Sequence, residues 1–110
     1  MPNLELGAAA AALTDAATAA GNKQIARNQN VDVTITGTNL VGDVYLREGD
    51  LLISARATRV KETDPVNHYS DLTEIRATFN TNAPVGTGYE ILIRNAAGDS
   101  NAIGGFEVVA

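Results

Sequence analysis

From Val31 onward, apolar and polar residues alternate with a period of two. In residues 31–36 the apolar positions are Val31, Val33 and Ile35, and polar residues fill the places between them. Successive side chains of a β-strand point to opposite faces, so this pattern predicts strands with one buried and one solvated face. Sheets with one solvated face are usually antiparallel, and we therefore expect antiparallel pairing.

Five later runs repeat this alternation and are separated by turns rich in Gly, Pro, Asn and Asp. Short strands with turn signals every 8–12 residues or so are typical of a β-sandwich, here of about seven strands. We expect a strand to return from the Glu48–Asp50 turn through Leu51, Ile53, Ala55 and Ala57. The other predicted inward positions are Val44, Leu46, Ile75, Ala77, Phe79, Tyr89, Ile91, Ile93, Phe106 and Val108.

The first 30 residues differ from the rest because they are rich in Ala and contain no β-branched run. Leu13–Ala20 has high helix propensity, and Gly21 would suit the end of a helix. Such a helix would be short and almost without large apolar groups, so an extended arm that lies on the sandwich or on a neighbouring molecule is an equal alternative. The sequence thus predicts an arm or short helix over 1–30 and a sandwich over 31–110.

Composition excludes several classes of function. With 110 residues the chain is most simply one domain, and its net charge of −5 with no basic stripe argues against nucleic acid as a partner. The absence of Cys excludes a disulfide scaffold, a thiolate zinc site and a Cys nucleophile, and weakly favours folding in a reducing cytoplasm. No run approaches about 20 apolar residues, so we expect no membrane association.

The N-terminus lacks the features of a targeting segment. The apolar run Ala8–Ala12 has no preceding Lys or Arg, Glu5 lies where a positive charge belongs, and Asp15 follows the run closely. A secretory signal is therefore not expected.

Three segments resemble the immunoglobulin-like domains of the IPT/TIG family. Residues 33–40 (Val-Thr-Ile-Thr-Gly-Thr-Asn-Leu) are similar to the opening strand of the family, residues 83–98 to its closing hairpin, and residues 106–108 to its terminal strand. The resemblance covers about 31–110 and implies an immunoglobulin-like sandwich. It also implies an accessory module that acts by packing and contact, as in cell-surface receptors, secreted carbohydrate enzymes, Rel-type transcription factors and domains displayed on phage particles.

Individual residues in these segments suit the local structure that the resemblance implies. Gly37 and Asn39 suit a turn that needs a positive φ or a side-chain bond to the backbone. Tyr89 is placed to bury its ring while its hydroxyl makes a hydrogen bond at a corner of the sandwich. The chain departs from the family before Val31, where the usual Pro-containing strand is missing, and in the long polar loop of residues 61–71.

The sequence predicts no catalytic, cofactor or metal site. His68 is the single His, and Ser70 and Asp71 stand too close to it along the chain for the geometry of a hydrolytic triad. Five acidic residues are candidates for a calcium site at one end of the sandwich, but they lack the spacing of a calcium loop and are better explained as solvated turns. These residues are Glu48, Asp50, Glu62, Asp64 and Asp71.

Candidate contact residues are instead apolar or aromatic side chains on the arm, on outward strand positions and in the polar loop. Leu52 and Leu92 take outward positions on alternating strands, where two leucines on one outer face would form an apolar contact patch. The predicted contact residues are Leu4, Leu6, Leu13, Leu52, Leu92, His68 and Tyr69.

The function expected from these features is that of a non-catalytic structural or interaction protein. The chain begins with Met and holds a single module, so we expect its partner to be another protein, either a capsid shell or neighbouring copies of itself in a homo-oligomer. The most specific hypothesis is a capsid decoration or cement protein on the virion surface, made in the host cytoplasm. The alternative is an extracellular accessory module of a larger secreted or cell-surface protein, in a carbohydrate-associated context.

Overall fold

A computed structural model describes residues 9–110, and in them the chain forms ten β-strands and no helix. The strands are β1 (Ala12–Thr18), β2 (Gln24–Ala26), β3 (Val31–Thr38), β4 (Asp43–Glu48), β5 (Leu51–Ser54), β6 (Ala57–Val60), β7 (Glu74–Phe79), β8 (Gly86–Asn95), β9 (Gly98–Asp99) and β10 (Ile103–Val109). The prediction of an all-β chain is confirmed for this part of the protein.

The strands form two sheets that share one core. The first sheet has four strands in the order β1-β3-β7-β6, and the second has the order β2-β10-β8-β4-β5, with β9 paired to β8. Neighbouring strands are antiparallel except for β2, which runs parallel to β10. The arrangement is sandwich-like, but it has more strands than the seven that we expected.

The predicted inward positions of the main strands are buried between the sheets. Phe79 and Phe106 are the largest fully buried side chains, and the ring of Tyr89 is buried with them. The remaining large core residues are β-branched or leucine, as the composition indicated. They include Ile25, Val33, Ile35, Val44, Leu46, Ile75, Ile91, Ile93 and Val108.

The helix alternative for Leu13–Ala20 is wrong, because Ala12–Thr18 forms the edge strand β1 beside β3. A register shift between Leu13 and Asp15 places a bulge in β1. Hydrogen bonding and burial along β3 outweigh the helix propensity of alanine, which contributes only a few tenths of a kcal/mol per residue. Because β2 also pairs with β10, residues 12–18 and 24–26 supply strands to both sheets.

The predicted single strand from Leu51 to Ala57 is also corrected, because the chain changes sheets in the middle of it. The backbone N–H of Ala55 donates to the carbonyl of Val44 in the second sheet at 2.9 Å. The next N–H, that of Arg56, donates to Thr78 in the first sheet at 2.7 Å. Leu51–Ser54 therefore lies at one edge of the second sheet, and Ala57–Val60 lies at one edge of the first.

Asn39 and Tyr89 have the roles that the sequence suggested, whereas Gly37 has a different one. Asn39 has a positive φ of 52°, and its side-chain amide donates to the carbonyl of Ala9 at 2.6 Å. The hydroxyl of Tyr89 donates to the carbonyl of Pro84 at 2.7 Å. Gly37 is needed for close approach instead of a positive φ, because a Cβ there would collide with the backbone oxygen of Ala12 in β1.

Candidate contact surface

Four of the predicted contact residues lie on the N-terminal segment and at one sheet edge. Leu4 and Leu6 fall outside the described residues. Leu13 is buried in the core, so its side chain offers no surface to a partner. Leu52 lies on the edge strand β5 and is 37% exposed.

Leu92 corrects the expectation of an exposed patch on the outer face of the second sheet. It takes the outward position beside Tyr45, as the alternation predicted, yet its side chain is fully buried. Residues two apart on a strand share a face, so Glu90 and Arg94 flank Leu92 on β8. Polar side chains therefore cover this leucine, and it cannot join Leu52 in an apolar surface.

Ion pairs connect the charged side chains that flank Leu92 on this face. The guanidinium of Arg47 donates to the Glu90 carboxylate at 2.8 Å, and that of Arg94 donates to Asp99 at 2.6 Å. The bonded Arg94 lowers the pKa of Asp99 below its usual value, and the same bond raises the pKa of Arg94. Arg94 also lies 5.3 Å from the centre of the Tyr45 ring, within the range of a cation–π contact.

The two remaining contact residues, His68 and Tyr69, lie in the loop of residues 61–73 between β6 and β7. Asp64 and Tyr69 form an isolated antiparallel bridge across this loop. Thr63 strengthens the bridge, since its backbone N–H and its hydroxyl both donate to the carbonyl of Tyr69, at 2.7 Å and 3.0 Å. The loop is therefore a small hairpin with internal hydrogen bonds.

The tip of this hairpin is fixed by Asp64. Its carboxylate accepts hydrogen bonds from the backbone N–H of Val66 at 3.1 Å and from the backbone and side chain of Asn67 at 3.3 Å and 2.7 Å. These bonds lower the pKa of Asp64, and the bond from the Asn67 side chain has the largest effect. An Asp that accepts from the following backbone holds the chain in a turn without any packed core.

The base of the hairpin is tied to the first sheet. Asp71 accepts from the backbone and hydroxyl of Thr73 at 3.2 Å and 2.7 Å, and the Thr73 side chain is the main cause of a lowered pKa at Asp71. The backbone N–H of Gly37 donates to the carbonyl of Thr73, and that of Leu40 donates to Leu72. These bonds fix the direction in which the hairpin leaves the sandwich.

Three neighbouring side chains project from the hairpin, and we call them the loop surface: Val66, His68 and Tyr69. Val66 is 84% exposed and Tyr69 is 60% exposed, which makes them the two most exposed large apolar side chains among residues 9–110. His68 has a positive φ of 58°, and its Nδ1 lies 3.3 Å from the carboxylate of Glu62. Hydrogen bonds within the loop thus keep the side chains of Val66 and Tyr69 exposed to solvent.

The same loop shows no catalytic arrangement. The hydroxyl of Ser70 accepts from the backbone of Leu72, and within residues 9–110 no hydrogen bond joins it to His68. The acidic groups Asp64 and Asp71 are occupied by bonds to their own turns. Across the described part of the chain, no three His, Asp or Glu side chains come close enough together to hold a metal ion.

Compared with protein-family models and with curated proteins, the sequence matches none of them. The IPT/TIG resemblance therefore remains a prediction carried by residues 33–40, 83–98 and 106–108. Residues 9–110 include no helix of the length and apolar character that crossing a membrane requires. The loop surface is the most exposed apolar feature that the described residues offer for contact with another protein.

Proposed function

We propose that this chain is a non-catalytic interaction protein built on an immunoglobulin-like sandwich of the IPT/TIG type. In constant-type immunoglobulin domains one sheet has the strand order A-B-E-D, and the other contains C, F and G. When the long strands are lettered along the chain, β1-β3-β7-β6 takes the order A-B-E-D. Strands β10-β8-β4 then take the order G-F-C, with β5 in the position of C′.

Tyr89 gives this scaffold proposal independent support. Immunoglobulin-like domains often place a tyrosine near the start of strand F, with its hydroxyl bonded to backbone a few residues upstream. Tyr89 lies near the start of β8, is buried, and donates to the carbonyl of Pro84. The likeness concerns the scaffold, and a scaffold alone does not fix a function.

The loop surface carries the functional part of the proposal. Exposed Val66 and Tyr69 contribute apolar and aromatic area, and aromatic residues are enriched in protein interfaces. The bonds of Thr63 and Asp64 order the loop before any partner binds, which lowers the entropy lost on association. A preordered loop with exposed apolar tips is suited to a protein partner.

The most specific form of the proposal is a decoration or cement protein on a virion surface. Its partner is then the capsid shell or a neighbouring copy of the same chain. The net charge of −5 is compatible with this role, because a net charge well away from zero keeps a free protein soluble before it reaches the particle. The chain is an accessory module of a secreted or cell-surface protein instead if its coding sequence continues into further domains on both sides.

Co-sedimentation with assembled shells tests this function. Assembled capsid shells from the genome that encodes this chain are mixed with the wild type or with the double variant Val66→Asp/Tyr69→Ala. We expect saturable binding by the wild type and affinity weakened about tenfold or more in the double variant, as for loss of an interface anchor. Val85→Asp is the matched control, because Val85 is 54% exposed and lies outside the loop.

Two results would contradict the proposal. One is a wild-type protein that stays in the supernatant when the shells are pelleted. The other is equal affinity of the wild type, the double variant and the Val85→Asp control, which would remove the loop surface from the interface.

A further inference from the structure

The edge strand β6 presents unpaired backbone to solvent. All four of its residues are exposed, and among residues 9–110 it pairs on one side only, with β7. The N–H of Lys61, just after β6, donates to Glu74 of β7 at 3.1 Å. Because alternate residues of an antiparallel strand bond to opposite sides, Thr58 and Val60 direct their N–H and C=O groups away from β7. An added strand would find these groups free to pair.

The outer face of this edge is basic, although the chain is acidic overall. Arg59 lies directly across from Arg76 of β7, and Lys61 follows the strand. The ion pairs here are long, with Arg59 at 3.9 Å from Asp32 and Lys61 at 3.4 Å from Glu74. A shallow groove of about 280 Å³ runs along these residues. Its lining consists of Arg59, Val60, Lys61, Glu74, Ile75 and Arg76.

The side chains of β6 alternate in a way that defines a complementary segment. Thr58 and Val60 lie across from the buried Ala77 and Ile75 and so share the core-facing side of the sheet. Arg59 lies on the opposite side and is largely exposed. A complementary strand therefore needs an apolar, acidic, apolar sequence, so that its carboxylate lies beside Arg59.

The chain contains such a sequence at Leu4-Glu5-Leu6, outside the described residues. We propose that Leu4–Leu6 of a second copy of this chain adds to β6 as an extra strand. The two leucines lie beside Thr58 and Val60, and the carboxylate of Glu5 pairs with Arg59. The backbone of the added strand satisfies the outward N–H and C=O groups of β6.

The donor is assigned to a second copy because only residues 7 and 8 separate Leu6 from Ala9. The carbonyl of Ala9 accepts from Asn39, which directly follows β3. A strand added beyond β6 would lie three strand spacings from β3, a distance of about 14 Å. Leu6 is three residues from Ala9, a span of at most about 10 Å in an extended chain. The short span from Ala9 therefore favours a second copy as the donor.

The other edges suit this segment less well. β5 has the sequence Leu-Leu-Ile-Ser and offers no cation of its own to Glu5. β1 carries Asp15, which would repel the carboxylate, and β2 has the sequence Gln-Ile-Ala, with no cation within the strand. Charge complementarity therefore selects β6 among the four sheet edges.

This pairing goes beyond the proposed function, because it needs no capsid and is testable with the purified full-length chain. The sequence has no Cys, so an Asn3→Cys substitution accepts a single spin label. The spin-labelled protein, which carries no isotope label, is mixed at millimolar concentration with wild-type protein labelled with nitrogen-15. Relaxation of each amide proton in the isotope-labelled copy then reports only contacts between copies. A label at Asp50→Cys, in the β4–β5 turn, is the matched control.

We expect the label at position 3 to broaden the amides of Thr58 and Val60 more strongly than those of β5 or β1, and the control label to leave them unchanged. Arg59→Glu in the isotope-labelled copy should weaken binding about threefold to tenfold, since it replaces an attractive cross-strand pair with a repulsive one. Glu5→Lys in the spin-labelled copy should restore it. The retained amide spectrum of each variant shows that it is folded.

The proposal is overturned if no broadening appears at β6, or if broadening centres on β5 or β1. It is also overturned if Glu5→Lys fails to restore binding to the Arg59→Glu copy. None of these results bears on capsid binding, so the two proposals fail separately.

Discussion

The substitution Leu92→Ala tests whether a network of charged side chains buries a leucine on the outside of a sheet. Leu92 points away from the core, yet it is fully buried. Its cover consists of long polar side chains, in which Arg47 bonds to Glu90 and Arg94 bonds to Asp99. The methylene stems of arginine shield apolar surface while their charged ends stay in water.

The expected cost follows from this burial and from the flexibility of the cover. Leu→Ala at fully buried sites costs about 2–5 kcal/mol, with the larger values where the surroundings cannot relax into the cavity. The arginine and glutamate side chains above Leu92 are partly exposed and free to move inward. We therefore expect a loss of about 2–3 kcal/mol in the free energy of unfolding, which lowers Tm by about 10–20 °C in a domain of this size.

Leu52→Ala is the matched control, because it makes the same chemical change on the same outer face. Leu52 lies across from Arg47 and is 37% exposed, so its truncation should cost less than about 1 kcal/mol. Urea unfolding followed by far-ultraviolet circular dichroism measures both variants, since the chain has no Trp to serve as a fluorescent probe. Equal costs for the two substitutions would refute the claim that the ion pairs bury Leu92.

Two further predictions concern single hydrogen bonds. Tyr89→Phe removes the bond to the carbonyl of Pro84 and should lower the free energy of unfolding by about 1 kcal/mol in a urea titration, whereas Tyr69→Phe, at an exposed site, should change it by less than about 0.5 kcal/mol. Equal effects would argue against the corner bond. The bond from Arg94 holds the pKa of Asp99 below its unfolded value of 3.8. The stability that this bond adds to the folded state is therefore fully present above pH 3.8 and is lost as the pH falls through the lower folded pKa. Asp99→Asn should therefore lose less stability than the wild type between pH 5 and pH 2, and parallel acid titrations of the two would contradict this.

The alternation of the sequence predicted the core well because the period of a strand fixes which face each side chain takes. Val33 and Ile35 are buried as expected, and so are Phe79 and Phe106. Periodicity failed for β1, where the bulge after Leu13 shifts the alternation by one residue. A segment whose alternation shifts in this way matches neither the helix period nor the strand period. The high helix propensity of alanine then favours the prediction of a helix.

Features that depend on pairing between distant strands were not predictable from local pattern. The change of sheet at Ala55 depends on which strand each backbone group meets, and the sequence there shows only an uninterrupted alternation. The hairpin that holds the loop surface was recognised only as a polar loop. Its order comes from Asp64 and Thr63, whose types are common in turns, and their partners become known only with the structure.

The burial of Leu92 could have been predicted from the sequence around it. Glu90 and Arg94 are two residues to either side, so strand geometry alone places opposite charges on the same face as the leucine. Arg47 and Asp99 complete the cover from neighbouring strands, and they bond to Glu90 and Arg94 respectively. An outward leucine between opposite charges is therefore better interpreted as covered than as a contact patch. The same reasoning favours β6 as an interface, because its outward Arg59 faces the like-charged Arg76 and leaves room for an acidic partner.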